Sequence, residues 1–289
     1  MSTSSGFGPN PWQQTSWDWR AAGNFICGGA GTGLLVASAL FVAPEASRGW
    51  VIPGLVFFGL ALVGLGLLCV WLEIGRPLRA LNVFINPRTS WMSREAWVSV
   101  VLFPAGLAAM LGLSGWLWIT AALALAFLYC QSRMLPAARG IPAWRSSWFS
   151  LLFLLTAACE GCGIFLLLGL VHGGVTSTAL LAFVLLLALR MQVWRRYRSD
   201  VDASLATRAR SALDLAGRRL LIVGSILPCV LLGLAWLLSA PLATLLAAVA
   251  GACAAWAGAN LKYTLVTRAS FNQGFALVKI PVRGVRDKQ

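Results

Sequence analysis

Residues 51–73 read VIPGLVFFGLALVGLGLLCVWLE, an apolar run that meets no charge until its last residue, Glu73. A helix needs about 20 apolar residues to cross the hydrocarbon of a bilayer, and this run supplies them. A basic loop follows at 74–97, IGRPLRALNVFINPRTSWMSREAW. It carries Arg76, Arg79, Arg88 and Arg94 and closes on a second acid, Glu95, where the next apolar run begins. The pattern is one membrane span, a positively charged turn, and a second span, with a carboxylate at each edge of the turn.

The same alternation runs through the whole chain. Of its 289 residues, 59% are hydrophobic and only 11% charged, against about 25% charged in a soluble domain. The mean hydropathy is +0.79. The fold class expected is all-α: one integral membrane domain over residues 1–289, built as a bundle of eight transmembrane helices. The spans fall at about 21–43, 51–73, 95–113, 115–134, 148–171, 175–194, 219–239 and 241–262, between an N-terminal tail 1–20 and a basic tail 263–289. The start, Met1 to Gln14, has no basic region of the kind that opens a secretory signal, so the first run reads as a retained helix. The stretch 199–217, SDVDASLATRARSALDLAG, reads as a short amphipathic helix along the basic face, with Ser199-Asp200 at its start and Gly217 at its end.

Eight spans place both termini on one side. Of the 23 lysines and arginines, all but Arg48 then fall on that side. The positive-inside rule makes this face cytoplasmic, in a multi-pass protein of the inner membrane. The same face also suits an acidic protein partner. Topology accounts for the basic residues, so no nucleic acid is implied.

Other chemistry is thinly supplied. The seven cysteines are scattered through apolar runs, and the Cys159–Cys162 spacing sits inside a predicted span with no further ligands, so no metal site is expected. One histidine, His172, cannot provide two axial ligands for a haem; it reads as a solvated loop residue. The carboxylates at membrane depth are Glu73, Glu95 and Glu160, with Asp18 near the first span. Glu73 and Glu95 would face one pocket across the loop and exchange protons with a small redox ligand. The plainer alternatives are that Glu95 caps its helix behind Ser93 and that Glu73 reaches for water beside Arg76. Glu160, in AACEGCG, is either a proton relay or a polar contact between helices. Arg76 and Arg94 each stand beside an acid and can pair with it.

These stretches resemble, in order along the chain, the quinone-reactive membrane subunits of molybdenum enzyme complexes, the superfamily of the dimethyl sulfoxide reductase anchor and the polysulfide reductase membrane subunit. Trp17-Asp18-Trp19 and the Gly-rich Cys27 to Gly33 resemble the family's beginning. Glu73-Ile74-Gly75-Arg76-Pro77 is similar to its H-L-G-[RS]-P motif, and Ser93-Arg94-Glu95 to its S-x-E motif. Arg133 with Ile141-Pro142-Ala143-Trp144 resembles its R…V-P-x-W stretch, and Arg268-Ala269-Ser270-Phe271 its G-R-x-x-F tail. The resemblance implies a quinone, ubiquinone or menaquinone, as the only cofactor held by this chain, with no haem. An iron–sulfur subunit and a molybdopterin catalytic subunit would be its partners. Glu95 carries over as a quinol-site residue. Glu73 stands where the family has histidine, a departure. Asp18, Arg76, Trp91, Arg94 and Tyr129 would line or place the headgroup, and Arg79, Arg88, Arg133, Arg139 and Arg145 would dock the iron–sulfur partner.

The tail from Arg268 to Gly284 is similar to that of the membrane subunit of phenylacetyl-CoA:acceptor oxidoreductase. This implies electrons reaching quinone from a cytoplasmic aryl-acyl-CoA. The alternatives are a quinol-oxidising anchor, a purely mechanical anchor, and a secondary transporter that uses Glu160.

Overall fold

The computed structural model describes residues 11–42, 49–74, 77–173 and 175–274, without the side chains of residues 77–79. Arg48, Arg76 and the tail beyond Gly274 lie outside the described residues, as does the Arg79 side chain. The described chain is all-α. Its eight helices are α1 (Trp19–Phe41), α2 (Val51–Glu73), α3 (Trp91–Met110), α4 (Trp116–Ala137), α5 (Phe149–His172), α6 (Ser177–Val201), α7 (Thr207–Ala235) and α8 (Ala240–Arg268). Seven are long and apolar enough to cross a membrane; α3 is the exception. Arg94, Glu95, two serines and Pro104 dilute its apolar content.

α1 is the inner helix and packs on α2, α4, α5 and α8. Small residues make this approach close. A Cβ on Gly161 of α5 would overlap the backbone of Gly33 on α1, and a Cβ on Gly33 would overlap the Ala157 carbonyl. Backbone-to-backbone contact of this kind is how membrane helices gain packing energy without a hydrophobic drive between them.

Two helices differ from their expected bounds for local reasons. α3 begins at Trp91 because Ser90 caps it, its side chain accepting from Ser93 N at 3.3 Å. Glu95 therefore sits in the second turn and caps nothing. α7 begins at Thr207, not 219, and no separate amphipathic helix exists at 199–217: α6 runs on to Val201, and a single 3-10 turn reverses the chain. Ala209, Leu213, Ala216 and Leu220 form a stripe that is buried. Gly217, expected as a stop, lies mid-helix, where a Cβ would stand 2.8 Å from Trp194 Cζ2. At 29 residues, α7 is about 43 Å long, longer than the roughly 30 Å of bilayer hydrocarbon.

Both π-turns have a visible cause. The turn Ile222–Ile226 in α7 offers Gly224 O to Arg190, and the turn Thr264–Arg268 in α8 offers Leu265 O to Trp144 Nε1 at 2.9 Å. Such a turn frees carbonyls from the helix ladder. The first and last described segments meet at one end of the bundle: Gln14 N donates to Ser270 O and Asn272 N to Trp12 O, each at 3.0 Å.

Candidate functional site

Where α1 to α4 come together at that end, a cavity of about 290 Å³ is lined by Trp17, Asn24, Phe25, Glu73, Met92 and Met134, among others. Glu73 ends α2 and is half-buried on the cavity wall, with no hydrogen bond or ion pair to another described residue. Asn24 is 2% exposed, and its Oδ1 has no hydrogen-bond partner among the described residues. A buried carbonyl oxygen left so is costly, and here it belongs to a residue on the wall of a cavity.

Glu95 does not line the cavity. It lies one turn beyond Met92 on the same face of α3, 4% exposed, and its Oε1 accepts from Gln131 Nε2 at 3.3 Å. Gln131 also donates to Asn24 O at 3.0 Å, and the Asn24 side chain is a second polar neighbour of the carboxyl. The Glu95 carboxyl is thus surrounded by neutral amides and has no ion pair among the described residues. Asn24 lines the cavity with Glu73 and neighbours the Glu95 carboxyl, so one acid is on the wall and the other behind it.

Glu160 is elsewhere, at the crossing of α5 and α8. Its Oε2 meets Lys262 Nζ at 2.6 Å, both side chains being 1% exposed. Among the described residues no cluster of His, Cys, Asp or Glu could hold a metal ion. The seven cysteines are free thiols. His172 is not a loop residue: it closes α5, half-buried, with Nε2 3.2 Å from Phe165 O.

The family model for the DMSO reductase anchor subunit (DmsC) matches residues 21–215. The chain belongs to that family. No curated protein matches it as a relative. As a DMSO reductase-type anchor, it is a membrane subunit of an electron-transport complex. The match takes in Asn24, Glu73, Glu95, Gln131 and Glu160 and ends before Lys262.

The remaining residues expected at the site fall into two groups in this anchor. Asp18 caps α1 and is held by Arg20, whose Nη2 is 2.7 Å from Oδ2. Arg20 Nη1 also donates to Leu72 O at 3.0 Å, tying the start of α1 to the end of α2. The Arg20 hydrogen bond keeps the Asp18 carboxyl below the ordinary carboxylate range. Arg94 does not pair with Glu95. It donates to Pro87 O at 2.8 Å and Arg88 O at 2.6 Å, and its guanidinium lies 4.1 Å from the centre of the Trp91 ring. Trp91 stacks edge-on with Tyr129 at 5.7 Å, and Arg133 approaches the same ring. This aromatic and cationic cluster does not line the cavity.

Arg133 is exposed near the end of α4, and Arg88, Arg139 and Arg145 are exposed on the connections around α3 and α4. Arg145 also donates to Arg139 O and to Gln273 Oε1. The IPAW stretch is a buried plug: Trp144 is fully enclosed, and Tyr197 donates to Ala143 O at 2.8 Å. Sequence reasoning missed Asn24 and Gln131, although amides inside apolar runs are a readable sign. It also placed Arg190 and Lys262 on the basic face, whereas both are buried in the bundle, 0% and 1% exposed.

Proposed function

We propose that this anchor exchanges electrons between an iron–sulfur subunit and the membrane quinone pool, with the quinone headgroup in the α1–α4 cavity. The observation that carries the reading is a cavity walled by Glu73 and Asn24, with the buried Glu95 carboxyl beside the Asn24 side chain behind it. Family membership supports a molybdopterin catalytic subunit beyond the iron–sulfur one.

A bound quinone supplies a two-electron, two-proton couple. The residues present fit it. Asn24 gives the cavity wall a polar amide residue, and Trp17, Phe25, Met92 and Met134 give a flat headgroup apolar walls. Glu73, half-buried at the helix end, passes protons between the cavity and water. Glu95 gains or loses a proton without breaking an ion pair, because its neighbours are neutral amides. With a carboxyl in place of the family histidine, proton transfer on the Glu73 side is carboxylate chemistry. Arg76 follows in the same motif and would place the headgroup. Asp18, Trp91, Arg94 and Tyr129 would support the rim from outside the cavity.

The exposed arginines 88, 133, 139 and 145, with Arg79, would dock the iron–sulfur partner, and all eight helices, α3 included, would span the membrane with the basic face cytoplasmic. That side suits a catalytic partner acting on an aryl-acyl-CoA, with electrons flowing to quinone. Membership of a reductase anchor family favours the reverse flow, oxidation of quinol.

The test is Glu95→Gln in the assembled complex. Partner activity with a soluble dye and assembly in the membrane should stay at parental levels. Quinone-coupled electron transfer should fall about 100-fold or more, the scale of a lost acid–base group. A parental quinone-coupled rate would remove Glu95 from the site.

A further inference from the structure

Away from the cavity, three ionisable side chains sit deep among α5, α6 and α8. Lys262 Nζ donates to Glu160 Oε2 at 2.6 Å and to Phe25 O at 3.0 Å. Arg190 donates to Ala254 O at 3.3 Å and to Gly224 O. Glu160 Oε1 and Arg190 Nε have no hydrogen-bond partner among the described residues.

Lys262 points the unusual way. A lysine near the end of a membrane helix ordinarily extends toward water. This one lies in the last turns of α8 yet reaches back along the helix into the bundle. Glycines make the room. A Cβ on Gly29 would overlap the ammonium, and a Cβ on Gly258 would stand 2.7 Å from Glu160 Oε1.

The charges do not balance. One acid faces two bases, and a guanidinium keeps its proton. Arg190 alone offsets an ionised Glu160, so the Lys262 proton is the surplus one. The other titratable groups in electrostatic contact are two thiols, Cys27 on α1 and Cys159 on α5. A net buried charge is expensive, so loss of one proton from Lys262 brings the cluster to neutrality. Through Phe25 the ammonium is one residue away from the cavity that Phe25 lines.

We propose that Glu160, Lys262 and Arg190 form a proton-holding site that serves the quinone cavity, with Lys262 as the group that releases and regains the proton. The inference rests on the quinone reading above. In the reducing direction Lys262 gives one of the two protons that quinone reduction requires. Its N–H bond breaks as a quinol O–H bond forms, the two electrons come from the iron–sulfur partner, and a proton from water re-forms the ammonium. Quinol oxidation runs the same steps backwards. Glu160 and Arg190 are positioning residues: they hold the amine and keep the cluster near neutrality.

Two variants of the whole complex test this. Lys262→Arg keeps the charge and the ion pair but cannot release a proton. Glu160→Gln with Lys262→Met removes both charges together. Each should keep dye-linked partner activity and binding of a non-reacting quinone analogue within about twofold. Each should lose about tenfold or more of quinone-coupled turnover, as an impaired proton transfer does. Independently of turnover, the infrared difference spectrum between the oxidised and reduced unaltered complex should contain a Glu160 carboxyl signal, identified with a carbon-13 glutamate label and absent after Glu160→Gln.

A parental quinone-coupled rate in either variant overturns the proposal. So does a redox difference spectrum of the unaltered complex that lacks the Glu160 carboxyl signal, a result that stands even where both variants fail to assemble. Failure of the quinone reading looks different: the unaltered complex would not bind the analogue at all.

Discussion

Two glutamates lie buried in this bundle and are handled in opposite ways. Glu95, 4% exposed, faces the amides of Gln131 and Asn24; Glu160, 1% exposed, faces the ammonium of Lys262. An acid among neutral amides can change its charge and leave the packing as it was. An acid tied to a cation cannot, because a neutral Glu160 would leave the Lys262 ammonium without its opposite charge. The first arrangement suits exchange at a cavity; the second joins α5 to α8 and, through Phe25, to α1.

Breaking the second arrangement should have the largest effect on stability. Glu160→Gln alone should cost about 3–5 kcal/mol, the scale for one partner removed from a buried pair. Adding Lys262→Met should recover part of it. Thermal unfolding of the anchor in detergent, read as a double-mutant cycle, measures the coupling. Additive losses would mean that the two charges are held independently. Glu95→Gln under the same measurement should change stability by about 1 kcal/mol or less, since an amide replaces a carboxyl among amides. An equal loss at both glutamates would erase the contrast.

A smaller effect is expected at the helix crossing that carries Glu160. Gly161→Ala places a methyl against the Gly33 backbone, which has no side chain to swing aside. Overpacking of this kind costs about 1–3 kcal/mol. The same change at Gly233, where a Cβ meets nothing within 4 Å, should be neutral or slightly stabilising. Gln131→Leu comes next, at about 1 kcal/mol for its lost hydrogen bonds. It should lower quinone-coupled turnover while leaving dye-linked activity unchanged.

The architecture was largely legible because apolar length is a one-dimensional property. The run 51–73 became α2 residue for residue, and each of the other seven expected spans overlaps a helix. What failed needed partners in space. Gly217 reads as a stop until Trp194 is seen beside it. Lys262 reads as one more positive charge near a helix end, because nothing in its own neighbourhood says that it turns inward to meet Glu160, 102 positions away. Arg94 stands next to Glu95 in sequence, yet adjacent residues on a helix do not face each other, and its guanidinium goes to the loop carbonyls instead. The two acids at the edges of the 74–97 loop were visible at once. Their separation into a cavity wall and a buried position behind it depended on Asn24, 49 residues before Glu73 in the chain.

The third acid near the cavity, Asp18, differs from both buried glutamates in being partly open to water. Its stabilisation comes from capping α1 and from Arg20. Asp18→Ala should cost about 0.5–2 kcal/mol, the range for a lost N-cap, and Asp18→Asn less, because an asparagine still caps. The pH dependence has a definite sign. Arg20 holds the folded-state carboxyl below its unfolded value, so the contribution is fully present above the unfolded value of about 3.9. It disappears as pH falls through the folded value. Unfolding measured at neutral pH and again in acid should therefore show the Asp18→Asn difference shrinking on acidification. A difference that grew in acid would mean that the carboxyl is stabilised in its protonated form and that Arg20 is not its governing partner.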